Sequence, residues 1–273
     1  IKTAQNNGEA WEIFMPKYFY AYFLISYEPI FREFLQSIFL QCYKDGITRI
    51  ETRVSLRFVR DKNFNLFETE EFFQIFKEEL EKFREAYDKN FSIGLLSELI
   101  RNWDDERYSK AIKQSFETRK KFPDIFVGID AGGDEDHFKN FHDYSEIMLK
   151  AEEYEKEYNT QVPYVLHCGE SIRYKNLNIL DGFLLKAKRL GHAINLIKHP
   201  GLMELIKKNN VCLEMNLISN QTLRNVRDLR LHPIINYYNY GIKVTLNNDD
   251  PTIYNVTGVN YDFFVAVVCC EFD

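Results

Sequence analysis

Seven short β-branched runs, each separated from the next by a stretch long enough for a helix or a long turn, constrain this chain more than any other feature. They are 47–55 (ITRIETRVS), 91–99 (FSIGLLSEL), 125–133 (IFVGIDAGG), 163–169 (PYVLHCG), 189–194 (RLGHAI), 211–219 (VCLEMNLIS) and 242–250 (IKVTLNNDD). Helix-period segments lie between them, such as TEEFFQIFKEELEKFREAYDKN over 69–90. Strands joined through helices run parallel, so the alternation predicts an α/β fold of the TIM (β/α)8 type. Seven runs are one short of a closed barrel. A helical stretch from about Trp11 to Asp45 precedes the first run, which places the expected eighth strand upstream of Ile1.

Bulk properties narrow the function classes. The 273 residues, 45% hydrophobic, suit one barrel domain over 1–273, and no Pro/Gly/Ser-rich linker or fixed-period repeat divides them. A formal charge of -6, spread along the chain, excludes a nucleic-acid footprint and favours a small-molecule partner. The apolar run YFYAYFLI over 18–25 is followed by Glu28 and Pro29 and is too short to cross a bilayer. It reads as a buried helix face, with no membrane insertion. Five cysteines at irregular spacing do not make a disulfide framework. The chain opens at Ile1 without a leader, which reads as a fragment or a processed form. Glycosylation sequons begin at Asn90, Asn220 and Asn255.

The residues that break the apolar pattern fall at the C-terminal ends of the runs: Gly133, His167 with Glu170, His192, Ser219 with Asn220, and Asp249 with Asp250. In a TIM barrel that rim is where catalysis is built. His167 offers a metal-binding or proton-shuttling nitrogen, or a structural hydrogen bond. Adjacent carboxylates such as Asp249 and Asp250 point in different directions, so one can bind a cation while the other faces a ligand; alternatively both cap the turn before Pro251. His192, after a glycine, can act on a metal-held water or bond a buried carbonyl. His199 and His232 precede prolines and read as helix-boundary residues. His137 and His142, in a loop with Asp134, Glu135, Asp136 and Asp143, read as solvated.

The motifs DAGGDED (130–136), HCGE (167–170), RLGHAINLIKHP (189–200), MNLISNQTLRNVRDLRLHP (215–233) and TLNNDDP (245–251), in this order, resemble the adenosine deaminase family of metal-dependent hydrolases. The resemblance extends from WEIF at Trp11 through YDFF at Tyr261, and SNQTLRNVRDLRLHP with FHDYSE is most similar to the adenosine deaminase-related growth factor branch. It implies zinc-dependent hydrolysis of adenosine and 2'-deoxyadenosine to inosine and ammonia. By the same resemblance His167 is a zinc ligand, and Glu170 is the acid that protonates purine N1. His192 orients and deprotonates the attacking water, and Asp249 is shared between zinc and that water. Asp250 bonds purine N7, Gly133 offers its backbone to N3, and Trp11 lies near the ribose. The branch resemblance favours an extracellular or secreted protein, with a cytoplasmic one the alternative, and the reading allows a homodimer.

Departures from the family pattern qualify the expected activity. The family's first strand brings a His-x-His pair to zinc, and none of the six histidines here forms one. Two ligands, His167 and Asp249, hold zinc weakly, so the chain as given is expected to be inactive. Cys168 stands where alanine is usual, Ala193 where glycine is usual, Met215-Asn216 in place of Cys-Pro, and Asn248 in place of a small residue. The chain also ends at Asp273, soon after YDFF, which reads as truncation at both ends. The alternative function is a catalytically inactive barrel serving as an interaction or signalling protein.

Overall fold

The computed structural model describes residues 3–56, 58–256 and 258–272. All seven runs form strands: β1 (Arg49–Val54), β2 (Ser92–Ile100), β3 (Phe126–Gly132), β4 (Val165–Cys168), β5 (Arg189–His192), β6 (Cys212–Met215) and β7 (Val244–Leu246). Every pairing is parallel, in the orders β1-β2-β3 and β4-β5-β6-β7. A parallel bridge from Ile129 to Tyr164 joins the two groups. The result is a seven-stranded arc of a (β/α) barrel. Among the described residues no strand pairs with the outer edge of β1 or of β7, and those edges are the least buried strands of the arc. The run at 211–219 is shorter as a strand than its sequence suggests: β6 ends at Met215, and Leu217–Thr222 turns into a helix that carries Ser219 and Asn220.

The central strands are buried on both faces, as parallel strands under helices must be: Ile93, Leu95, Leu96 and Leu99 of β2 are all in the core. The stretch from Trp11 to Asp45 splits into α1 (Asn7–Leu24) and α2 (Glu28–Lys44). Helix α3 (Thr69–Ala86) places Phe72, Phe76, Leu80 and Phe83 at helical spacing on its inner face. There Phe31 of α2 packs on Phe72 and Phe76 with centroids 5.8 and 5.4 Å apart, and Phe39 packs on Phe83. Helix α4 (Asp105–Lys121) starts at the Asp104 cap, whose side chain accepts from the Arg107 N–H, and returns the chain to β3.

The run at 18–25 is not a buried face. Phe19, Tyr20, Phe23 and Leu24 are 57–71% exposed. The physical reason is that α1 is apolar almost all round, and a helix on the outside of a barrel can press only one stripe against it. That stripe is Ala10, Phe14, Tyr18 and Tyr22, which lies across the strand ends. The Tyr18 hydroxyl donates to Glu98 at 3.2 Å, and Tyr22 accepts from the Ser55 N–H at 2.9 Å. No helix of the described residues is long and apolar enough to cross a membrane.

Candidate active site

Strand ends bring His167, His192 and Asp249 together: one donor atom from each lies within 4.8 Å of the others. His167 projects from β4 and His192 from the end of β5, while Asp249 sits in the turn after β7. His192 and Asp249 both hold left-handed backbone, at φ 64 and 54. Bulky residues occupy that region only where the surroundings enforce it, as at functional sites. Asp130 of β3 fixes the first imidazole. Its Oδ1 accepts the His167 backbone N–H at 2.8 Å and its Oδ2 lies 2.6 Å from Nδ1. Nε2 of His167 is thereby the nitrogen left facing the site, as where a carboxylate orients a metal-binding histidine, and a metal bound there would displace a ring proton that Asp130 otherwise stabilises.

Behind Asp130 runs a chain of alternating charges across the barrel interior. Arg53 of β1 donates from Nε to Asp130 at 2.6 Å and from its other arm to Glu214 of β6. Arg189 of β5 pairs with Glu214 at 2.8 Å and with Glu51 of β1 at 2.6 Å. Burial opposes a charged Asp130, but the His167 and Arg53 cations beside it win and hold its carboxyl far below the usual range. Burial likewise disfavours a charged His167, yet the Asp130 carboxylate outweighs it and holds the imidazole up at about 10. At His192 burial outweighs the opposing Asp249 charge and pulls the imidazole down to about 3.

Glu170 is buried, with Oε1 3.6 Å from His192 Nδ1. Burial, reinforced by the Asp249 charge, pushes its carboxyl well above the normal range, so it carries a proton where ordinary glutamates do not. The turn that delivers it depends on Gly169, at φ +74, where an added Cβ would meet Ile179 Cδ1 at 2.7 Å and Ala193 Cα at 3.2 Å. Gly169→Ala is therefore expected to lower stability by about 2–3 kcal/mol, from left-handed strain plus overpacking; an unchanged denaturation midpoint contradicts this. Two buried side chains grip the turn from either side. Arg101 Nη2 donates to the His167 carbonyl at 2.5 Å, and Glu135 Oε2 accepts from the Ser171 N–H at 3.1 Å. The two lie 3.5 Å apart as an ion pair, with the Arg101 guanidinium also stacked 3.9 Å over Phe141.

Trp11 of α1 and Glu170 line one small acidic hollow with Asp134, Asp136, Asn7 and Asn225. Gly133 follows β3 at φ +109 and immediately precedes Asp134 of that hollow. A larger cleft of about 550 Å³ opens to one side, reaching Ser97, Glu98, Trp103 and Arg107. Asp250 precedes the short helix Pro251–Tyr254, and its side chain makes no cap hydrogen bond, so the capping alternative is not how its carboxyl is used. Burial and the Asp249 charge push it well above the normal range. His137 and His142 face solvent, as expected, while Asp134 and Glu135 of the same loop are buried, because it folds back under the Glu170 turn. His232 is 1% exposed, because its ring turns inward to Asn220, which is itself fully buried and so closed to glycosylation in the folded chain. Asp130, Arg53, Glu214, Arg101 and Glu135 were not legible as site residues. The one signal was a charged residue interrupting an apolar strand, as in FVGIDAGG.

The His167 imidazole and the Asp249 carboxylate are donor types that zinc takes, and His192 stands beside them. The family model for adenosine deaminase matches residues 1–273. Adenosine deaminase 2 of Dictyostelium discoideum is 34% identical over 242 residues, covering 88% of this chain and 45% of that protein. Adenosine deaminase 2 of Homo sapiens is 30% identical over 263 residues, covering 95% and 50%. The chain thus spans about half the length of the curated relatives it matches. Among solved structures, adenine deaminase from Arthrobacter aurescens superposes with a TM-score of 0.73 at 16% identity, over 96% of this chain and 75% of that one. An amidohydrolase from Burkholderia ambifaria with bound Zn gives 0.71 at 13% identity, over 91% and 65%. These two likenesses show a shared TIM-barrel fold.

Proposed function

Because the chain belongs to the adenosine deaminase family, we propose that it serves, as one barrel domain, the zinc-dependent hydrolysis of adenosine and 2'-deoxyadenosine to inosine and ammonia. The observation that carries this reading is the convergence of His167, His192 and Asp249 within 4.8 Å at the strand ends, with the buried Glu170 carboxyl, which burial pushes up, beside them. His167 and Asp249 are the ligands for zinc, and Asp130 holds the His167 ring so that Nε2 faces the site. Zinc, when bound, supplies the acidification that makes water a nucleophile near neutral pH. Glu170 donates its proton to purine N1, which makes C6 electrophilic. Water adds at C6, one of its protons passes to the exocyclic amine, the C6–N6 bond breaks, ammonia leaves, and the other proton restores Glu170 as the inosine carbonyl forms. His192 orients the attacking water, the Asp250 carboxyl donates to N7, the Gly133 backbone meets N3, and Trp11 flanks the ribose.

The chain as given supplies only the two ligands that the family resemblance assigns here. By itself it is expected to hold zinc weakly and to turn over little adenosine; stoichiometric zinc after a chelator wash contradicts this. The test of the function itself extends the chain upstream by a strand carrying a His-x-His pair. The extended, zinc-loaded protein is expected to convert adenosine to inosine with release of ammonia, and a chelator to stop it. Zinc bound without inosine formation would favour the second reading, a catalytically inactive barrel that binds partners. The exposed apolar residues of α1, Phe19 and Phe23 at 57% and 65%, favour that reading.

A further inference from the structure

We propose that a buried relay from His232 through Asn220 fixes the tautomer of His192, so that His192 presents an N–H rather than a lone pair to Asp249 and works as an orienting donor, not as a base. The Ile234 N–H can only donate, and it points at His232 Nδ1, 3.2 Å away. Nδ1 of His232 is therefore a lone pair, and the ring proton sits on Nε2. Burial keeps this imidazole neutral, pulling it down to about 3. Nε2 lies 3.0 Å from Asn220 Oδ1, which accepts its proton. That fixes which way round the Asn220 amide stands. Its Nδ2, a donor, is 2.9 Å from His192 Nδ1. His192 must accept there, so in its neutral form the proton is on Nε2, 3.9 Å from Asp249 Oδ2.

Nothing else around the ring reverses this assignment. All three side chains of the relay are at most 1% exposed, so water does not substitute for a partner. Asn216 Nδ2 stands 3.2 and 3.1 Å from the two ring nitrogens of His192, so nearly equidistant that it lies along neither lone-pair direction. Glu170 Oε1, at 3.6 Å from Nδ1, is beyond hydrogen-bond distance. Turning the Asn220 amide over would set two donors, or two acceptors, against each other inside the core.

The consequence for catalysis rests on the deaminase reading; the tautomer does not. If water attacks C6 beside His192, its oxygen receives a hydrogen bond from Nε2–H, and the proton it sheds goes to the Asp249 carboxylate, the anionic member of the cluster. Asn220 and His232 are then positioning residues, acting through His192.

The relay is tested by nitrogen NMR on the full chain with ¹⁵N-labelled histidine. The expected spectrum has Nδ1 of His192 and of His232 unprotonated and both Nε2 atoms protonated. A His192 protonated at Nδ1 in the unaltered protein overturns the proposal, and this measurement needs no variant to fold. Asn220→Asp places a carboxylate that accepts from both rings, so it is expected to move the His192 proton to Nδ1. In the His-x-His-extended protein the same variant is expected to lower kcat by at least about a hundredfold at nearly unchanged KM, since a wrong histidine tautomer costs about ten-thousandfold in serine proteases. A reversed tautomer with unchanged kcat overturns the orienting role. An inactive extended protein that shows the expected spectrum would overturn the deaminase reading and uphold the relay.

Discussion

Glu170→Gln, made in the protein extended by a His-x-His strand, is expected to keep its zinc and to lose kcat by a hundredfold to ten-thousandfold, roughly the contribution of a positioned general acid. The carboxyl sits in a buried turn and is held protonated by burial and by the Asp249 charge, which is the state a proton donor needs before it acts. Glutamine preserves the shape and can still accept from Asn225, whose Nδ2 lies 3.5 Å from Glu170 Oε1, but it has no acidic proton for purine N1. Asp249→Ala should fail differently. It removes a ligand from the cluster, so zinc itself should be lost. Measuring zinc content and single-turnover deamination on both variants separates chemistry from assembly. Equal loss of zinc in the two, or an unaffected rate in the glutamine variant, would show that the carboxyl after HCG is structural.

Arg101→Leu is expected to cost about 3–5 kcal/mol of folding stability, the usual penalty for leaving one member of a buried ion pair without its partner. Arg101 is fully buried, and its guanidinium serves the His167 carbonyl, the Asn178 side chain and Glu135 at once. Leucine fills part of the volume but leaves Glu135, itself buried, without its cation and with only backbone N–H partners such as Ser171. The readout is the urea midpoint at constant m-value. Adding Glu135→Leu to Arg101→Leu should recover part of the loss, because the double variant has no stranded charge. A single variant as stable as the parent, or a double variant less stable than the sum of the two single losses, rules out the ion pair as the source of the effect.

Much of the fold was legible because its signals are local. Alternation of β-branched runs with helix-period segments predicted seven parallel strands, and all seven formed. The pattern was weakest where local signals conflict. The LIS of 211–219 continues the apolar run of β6 yet turns helical after Asn216, and α1 is so uniformly apolar that its sequence does not say which stripe faces inward. The rim residues were legible for a related reason. A histidine or carboxylate that ends an apolar strand is conspicuous, so His167, Glu170, His192 and the Asp249-Asp250 pair could be singled out, and their order along the chain carried the family resemblance.

What the sequence by itself determined, then, was which elements form and which polar residues their ends carry, because strand and helix periodicities and turn chemistry act over a few residues. Only the tertiary structure decided the partners. Arg53 meets Asp130 across 77 positions and Glu214 across 161, and Arg101 reaches the His167 carbonyl across 66. His232, which read as a helix-boundary residue before a proline, turns inward to orient Asn220 and through it His192. Such pairings depend on how far the sheet has curled and on which side chains are shut away from water. Once buried, each charge or donor must find a complement within about 3 Å. Spacing along the chain carries no record of that demand; the closing of the barrel wall imposes it.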